Sequence, residues 1–267
     1  MKPGTALLII DPQNDFHEGG SLAVPGASAD AARIAAMIDA NADQISEIFV
    51  TLDSHHKMDI AHPGFWTDAE GNSPQPFTLI SEEDVATQKW RPVQEEHLDH
   101  CKEYTRELKE GGKFQLCVWP EHCLIGTPGH AVNATINEAL QRWALSQRKT
   151  VAYVHKGQNV LTEHYSCFRA EVELPADPAT ALDRALVGRI SAWERVLVCG
   201  QALSHCVNFS VRDLAENWPR ERAAGLCLLR DAASSVPGFE GAGETFCKDM
   251  GERGLSMLTC AQAFASS

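Results

Sequence analysis

Long apolar runs are missing from this 267-residue chain, and with them any segment of membrane-crossing length. Basic residues are scarce. Lys and Arg number 23 against 36 Asp and Glu, a formal charge of −13. That balance argues against nucleic acid or an anionic membrane as the main partner. It says little about a small-molecule substrate, whose pocket can carry its own local field. The nine cysteines show no CxxC spacing and leave one unpaired in any count, so neither a disulfide framework nor a zinc ribbon is indicated. A reducing, cytoplasmic setting is the expectation. MKPGTALLIID enters a strand almost at once, which leaves no room for a signal peptide. Repeats and low-complexity segments are absent as well.

What is present is alternation. Short Val/Leu/Ile runs at Thr5–Ile10, Ile45–Leu52, Thr150–His155, Arg195–Cys199, Gly225–Arg230 and Leu255–Leu258 read as strands, the first four as buried core strands and the last as an edge. Between them, Ala27–Asn41, Ala131–Leu145, a stretch around Thr180–Ser191, a stretch from about Ser204 and Phe239–Met250 carry helical periodicity. Strand and helix in alternation imply an α/β fold, a mainly parallel sheet with helices on both faces. Residues 66–118 break the rhythm. Two prolines fall within Asn72–Thr78, Glu82–His100 is rich in acids, and Lys102–Lys109 reads as one exposed helix. With apolar content too thin for its own core, the segment reads as an insertion in a single domain spanning 1–267, a lid or an oligomer arm.

In a parallel sheet, ligands bind beyond the carboxyl ends of the strands. Asp11, Asp53 and Lys156 each follow directly on a strand, and Cys206 stands where the strand ending at Cys199 gives way to a helix. Taken alone, Cys206 reads as a small buried hydrophobe. At a helix N-terminus near a lysine, however, a thiol is drawn toward thiolate, and unpaired backbone N–H groups there can stabilise an oxyanion. Asp11 can accept the thiol proton if burial raises its pKa. Asp53-Ser54-His55 places two metal donors on one side of a strand end, and a third must come from elsewhere.

The pieces IIDPQNDFHEGGSLAVPGA, TLDSHH, WPEHCLIGTPG, VHKGQNVLTEHYSCF and VLVCGQALSHCV, in that order, resemble the isochorismatase-like cysteine hydrolase superfamily, and within it the nicotinamidases. Outside 66–118 they cover nearly the whole chain. The resemblance implies a three-layer fold around a six-stranded parallel sheet, commonly in homo-oligomers, and a small carboxamide as substrate, hydrolysed through a thioester to carboxylate and ammonia. It implies a triad of Asp11, Lys156 and Cys206, with the N–H groups of Ala202 and Cys206 as oxyanion hole and a cis peptide before Ala202. Asp53, His55 and His122 would hold a divalent metal, zinc first and iron or manganese as alternatives, with His62 as a further donor. Phe16 and Trp119 would sandwich an aromatic ring, with Tyr165 in the same pocket. Two features depart from the pattern. Ser204 stands where an acid is usual, two residues before the nucleophile, and the insertion is longer than in simple nicotinamidases. A different amide or ureide substrate on the same triad, or a non-catalytic metal- or ligand-binding member, is the competing reading.

Overall fold

The computed structural model describes residues 1–265. Six strands form one sheet: β1 (Lys2–Ile10), β2 (Ile45–Asp53), β3 (Ala152–Lys156), β4 (Trp193–Gly200), β5 (Leu226–Leu229) and β6 (Ser256–Leu258). Their order across the sheet is β6-β5-β4-β1-β2-β3, and every pair is parallel. β1 and β4 lie at the centre, which is why Ala6–Ile10 and Val196–Cys199 are apolar at consecutive positions: each face of these strands is covered. Ala6, Leu8 and Ile10 face one layer of helices, α4 (Arg184–Ser191), α5 (Cys206–Glu216) and α6 (Glu240–Glu252). Leu7 and Ile9 face the other, α1 (Ala27–Ala40) and α3 (Ala134–Gln147). The result is the three-layer α/β architecture expected.

Two boundaries move for local reasons. α4 starts at Arg184 because the Asp183 carboxylate accepts the Leu186 N–H at 2.8 Å, and Pro178–Thr180 folds as a separate 3-10 turn. α3 starts at Ala134 because the Asn133 side chain caps Thr135. β3 is an edge strand and not a core strand. Only one neighbour pairs with it, and its Tyr153 is 43% exposed.

The 66–118 segment carries more core than its composition suggests. Trp66, Ile80, Val85, Leu116 and their neighbours form a separate apolar cluster, joined by Ile60, Phe65 and Val172 from outside the segment. Short antiparallel ladders, Trp66–Thr67 with Arg91–Pro92 and Thr78–Ile80 with Leu116–Val118, frame it. The expected exposed helix is α2 (Leu98–Glu110) and is amphipathic: Cys101, Tyr104, Thr105 and Leu108 lie on a buried stripe. Among the described residues no helix is long and apolar enough to cross a membrane.

Candidate active site

β1 ends at Asp11, where φ turns to +43° and Pro12 stops the ladder. Thr51 on β2 fixes this corner twice, accepting the Asp11 N–H at 3.0 Å and donating its hydroxyl to Asp11 Oδ1. The other oxygen, Oδ2, is buried without a hydrogen bond and lies 3.1 Å from Lys156 Nζ. Lys156 reaches this point because it sits directly opposite Asp53 in the β2–β3 register. Its Nζ donates to Asp53 Oδ1 at 2.9 Å and to the His164 carbonyl at 2.6 Å, and stands 3.6 Å from Cys206 Sγ. The next residue has to be glycine. Gly157 adopts φ +77°, and a Cβ there would lie 2.9 Å from Asp53 Oδ1. Asp11, Lys156 and Cys206, brought from two strand ends and a helix start, therefore share one buried locus.

Burial raises the Asp11 carboxyl above its ordinary range, against the pull of Lys156. Burial also opposes the charge on Lys156, but Asp11 and Asp53 outweigh it and hold the ammonium well above its usual value. At Cys206 burial pushes the thiol well up; Lys156 pulls it down, while Asp11 and Asp53 push it up again. Desolvation and two anions thus work against the thiolate that Lys156 and the helix terminus favour. The loop before it contains a cis peptide at Gln201–Ala202. The Ala202 carbonyl accepts the N–H groups of His205 and Val207, while the N–H groups of Ala202 and Cys206 have no acceptor among the described residues.

Beside this locus, Asp53 Oδ2 lies 3.2 Å from His55 Nε2 and 3.4 Å from His122 Nε2. The distant His122 arrives because its loop is zipped to the end of β2: His55 N–H donates to the Cys123 carbonyl and Ile125 N–H to the His55 carbonyl, both at 3.1 Å. Each outer nitrogen is held in turn. His55 Nδ1 pairs with Asp59 Oδ2 at 2.9 Å, and His122 Nδ1 with the Pro120 carbonyl at 2.8 Å. A carbonyl only accepts, so the His122 Nε2 lone pair turns inward, the tautomer a metal requires. His55, His62 and His122 form one group with donor atoms within 4.8 Å, and Asp53, His55 and Glu163 form another. His62 Nε2 meets His122 Nδ1 at 3.3 Å, the ring nitrogen opposite the one facing Asp53.

Burial opposes charge on His55 too, yet Asp53 and Asp59 hold it well above its usual pKa. A crowd of buried acids that demands a proton in its centre is one that a divalent cation can satisfy, so the donor set fits a metal. Glu163 was missed by the strand-end argument, because it sits in an irregular loop seven residues after Lys156. Its Oε2 is buried without a partner. Thr51, Gln13 and Asp59, which tether Asp11, Asp53 and His55, carried no sequence signal of their own.

Between the two clusters lies a cavity of about 20 Å³ touched by Phe16, Trp119, Tyr165, Ala202, His205 and Cys206. Phe16 packs on His122 with ring centroids 5.5 Å apart, and Trp119 Nε1 donates to Tyr165 Oη at 3.2 Å. Ser204, in place of the usual acid, is fully buried: its Oγ accepts the Val236 N–H at 3.1 Å and pairs with His205 Nδ1 at 2.9 Å. A larger cleft of about 600 Å³ opens on the β3 side and reaches Lys156 and His164 but not Cys206.

No family model matches the chain. It is 26% identical over 214 residues to a nicotinamidase of Escherichia coli (strain K12), covering 79% of this chain and 76% of that one. It is 29% identical over 212 residues to a nicotinamidase/pyrazinamidase of Mycobacterium tuberculosis, covering 79% of each. The solved nicotinamidase/pyrazinamidase of Acinetobacter baumannii superposes with a TM-score of 0.63 over 97% of both chains, at 21% identity. In motif order, in its all-parallel six-stranded sheet and in these relatives, the chain is similar to the nicotinamidases of the isochorismatase-like superfamily.

Proposed function

We propose that the chain is a nicotinamidase-like cysteine amidohydrolase that converts a small primary carboxamide to its carboxylate and ammonia. The observation that carries this reading is Lys156 Nζ, 3.1 Å from Asp11 Oδ2 and 3.6 Å from Cys206 Sγ in a buried locus. The Cys206 proton passes to the unpartnered Asp11 Oδ2 as sulfur attacks the carboxamide carbon. The oxyanion that forms faces the free N–H groups of Ala202 and Cys206. Asp11 returns the proton to the leaving nitrogen, ammonia departs and a thioester remains. Water then gives a proton to Asp11, its oxygen displaces the sulfur, and Asp11 passes that proton to the departing sulfur, which restores the Cys206 thiol. Lys156 stays charged throughout, offsetting the anion on either partner.

Asp53, His55 and His122 are the residues that would hold a divalent ion, zinc first by donor type, with iron or manganese as alternatives. Such an ion supplies a positive centre that orients a ring nitrogen or a water at one end of the cavity. Phe16, Trp119 and Tyr165 would clasp the ring. All nine cysteines are free, in keeping with a reducing cytoplasm. The reading includes one domain bearing the 66–118 insertion and assembly as a homo-oligomer.

Ammonia release from nicotinamide and benzamide, together with protection of Cys206 from iodoacetamide by the amide that is turned over, tests the proposal. Labelling without protection and without ammonia would leave a non-catalytic member.

A further inference from the structure

The cavity at Cys206 holds about 20 Å³, room for one water and no carboxamide ring. Substrate entry therefore requires part of its wall to move. Two wall residues, Tyr165 and His205, have open space behind them: they also line a second chamber of about 180 Å³. Leu79, Phe114, Gln115 and Cys117 of the inserted segment and Phe239 at the start of α6 complete it.

We propose that this chamber is an outer subsite of the catalytic pocket, joined to it when His205 turns, and that it takes an apolar, ring-sized substituent on the acyl group of the amide. The inference rests on the amidohydrolase reading and adds the substrate class. Volume is the first argument, since cavities of about 150 Å³ lined by apolar side chains accept a benzene ring. The lining is the second. His205 lies 5.2 Å from Phe114 and 4.7 Å from Phe239 by ring centroids, and no charged side chain lines the chamber among the described residues. A charged or strongly hydrated substituent would lose its water there without a partner.

The third argument is the moving part. Tyr165 is tied to Trp119, whereas the hydrogen bond of the His205 ring is to Ser204 Oγ alone. Burial keeps that imidazole neutral, its pKa lowered to about 3, so it can turn among aromatic rings without carrying a charge. Leu79 is half exposed and Gln115 exposed, so the outer end of the chamber opens to solvent and a longer substituent can project. The insertion thus acts on selectivity by building the outer wall.

The test compares kcat/KM for nicotinamide, its 5-phenyl and 6-phenyl derivatives and 5-carboxynicotinamide. At least one phenyl derivative is expected to match or exceed nicotinamide, and the carboxylate to fall at least tenfold below it. Leu79→Trp, which fills the chamber from a strand position that suits Trp, should lower the phenyl-to-nicotinamide ratio at least fivefold. Gln115→Trp on the exposed rim serves if the first variant does not fold. Both phenyl derivatives below a tenth of nicotinamide in the wild type, or an unchanged ratio in the folded variant, overturns the subsite and leaves the amidohydrolase reading standing. No ammonia from any of these amides overturns both.

Discussion

On one side of the catalytic cavity the polar groups leave the carboxyl ends of β1, β2 and β3, and each is tied to another charged side chain. Asp53 shows how tightly: Oδ1 accepts from Lys156, Oδ2 meets His55 and His122, and its backbone is held at both ends by Gln13. On the other side stand Trp119, Tyr165, His205 and Phe239, carried by loops and a helix start, packed ring against ring with no ion pair among them. The contrast separates two tasks. The strand ends hold charge and can do chemistry with little movement, while the loop side is held by dispersion and single hydrogen bonds and can change shape with the substrate.

The sharpest way to break that division is at the sulfur. Cys206→Ala should abolish ammonia release, on the order of a 10⁶-fold loss as for other covalent nucleophiles, while thermal melting stays near wild type. Cys206→Ser should be nearly as poor, since a buried hydroxyl is harder still to ionise. Near-normal turnover by either would place the chemistry elsewhere. Asp11→Asn comes next, expected to cost on the order of a hundredfold or more in kcat by removing the proton acceptor. A loss confined to KM would show that Asp11 serves binding instead.

His122→Ala tests the metal half of the charged side. Retention of zinc after dialysis, measured by elemental analysis, should weaken more than about a hundredfold, beyond what loss of an outer partner costs. Turnover of nicotinamide should drop more than that of benzamide, which has no ring nitrogen to orient. Wild-type protein that binds no zinc, iron or manganese would remove the metal from the reading while leaving the cysteine chemistry in place.

These two sides also differed in how far they could be read from sequence. Asp11, Asp53 and Lys156 were legible because each ends an apolar run, and a parallel ladder has no choice but to deliver its strand ends to one edge. His122 was legible only through resemblance, since two backbone hydrogen bonds between loops bring it in. Glu163 and His205 sit in stretches without period, where neither alternation nor helical spacing marks a direction. The buried stripe of α2 was hidden by starting the helix at Lys102, one residue after Cys101, which begins the 101-104-105-108 spacing. Around Cys206, the helix position and a nearby lysine can be read from sequence, but the depth of burial that opposes them cannot.

A last prediction, on stability and not on turnover, compares two buried carboxylates. Asp53 is held well below its ordinary pKa, because His55 and Lys156 more than offset its burial. Glu171, where the insertion meets the sheet domain, has one cation near it: Lys113 Nζ at 3.4 Å, outside hydrogen-bonding geometry, so that Oε2 has no donor. Burial outweighs that single ion and raises Glu171 from 4.5 to about 7. The folded state therefore binds this proton more tightly than the unfolded chain does. Its contribution is fully present below about pH 4.5 and is lost as pH rises to about 7, on the order of 3 kcal/mol across the window. Glu171→Gln keeps the shape and removes the titration. Urea unfolding of the two proteins should then give equal stabilities near pH 4 and a growing advantage for the variant up to pH 7 to 8. Parallel stability curves across that range would mean that Lys113 neutralises Glu171 after all, and that the junction between insertion and sheet domain is as well balanced in charge as the triad.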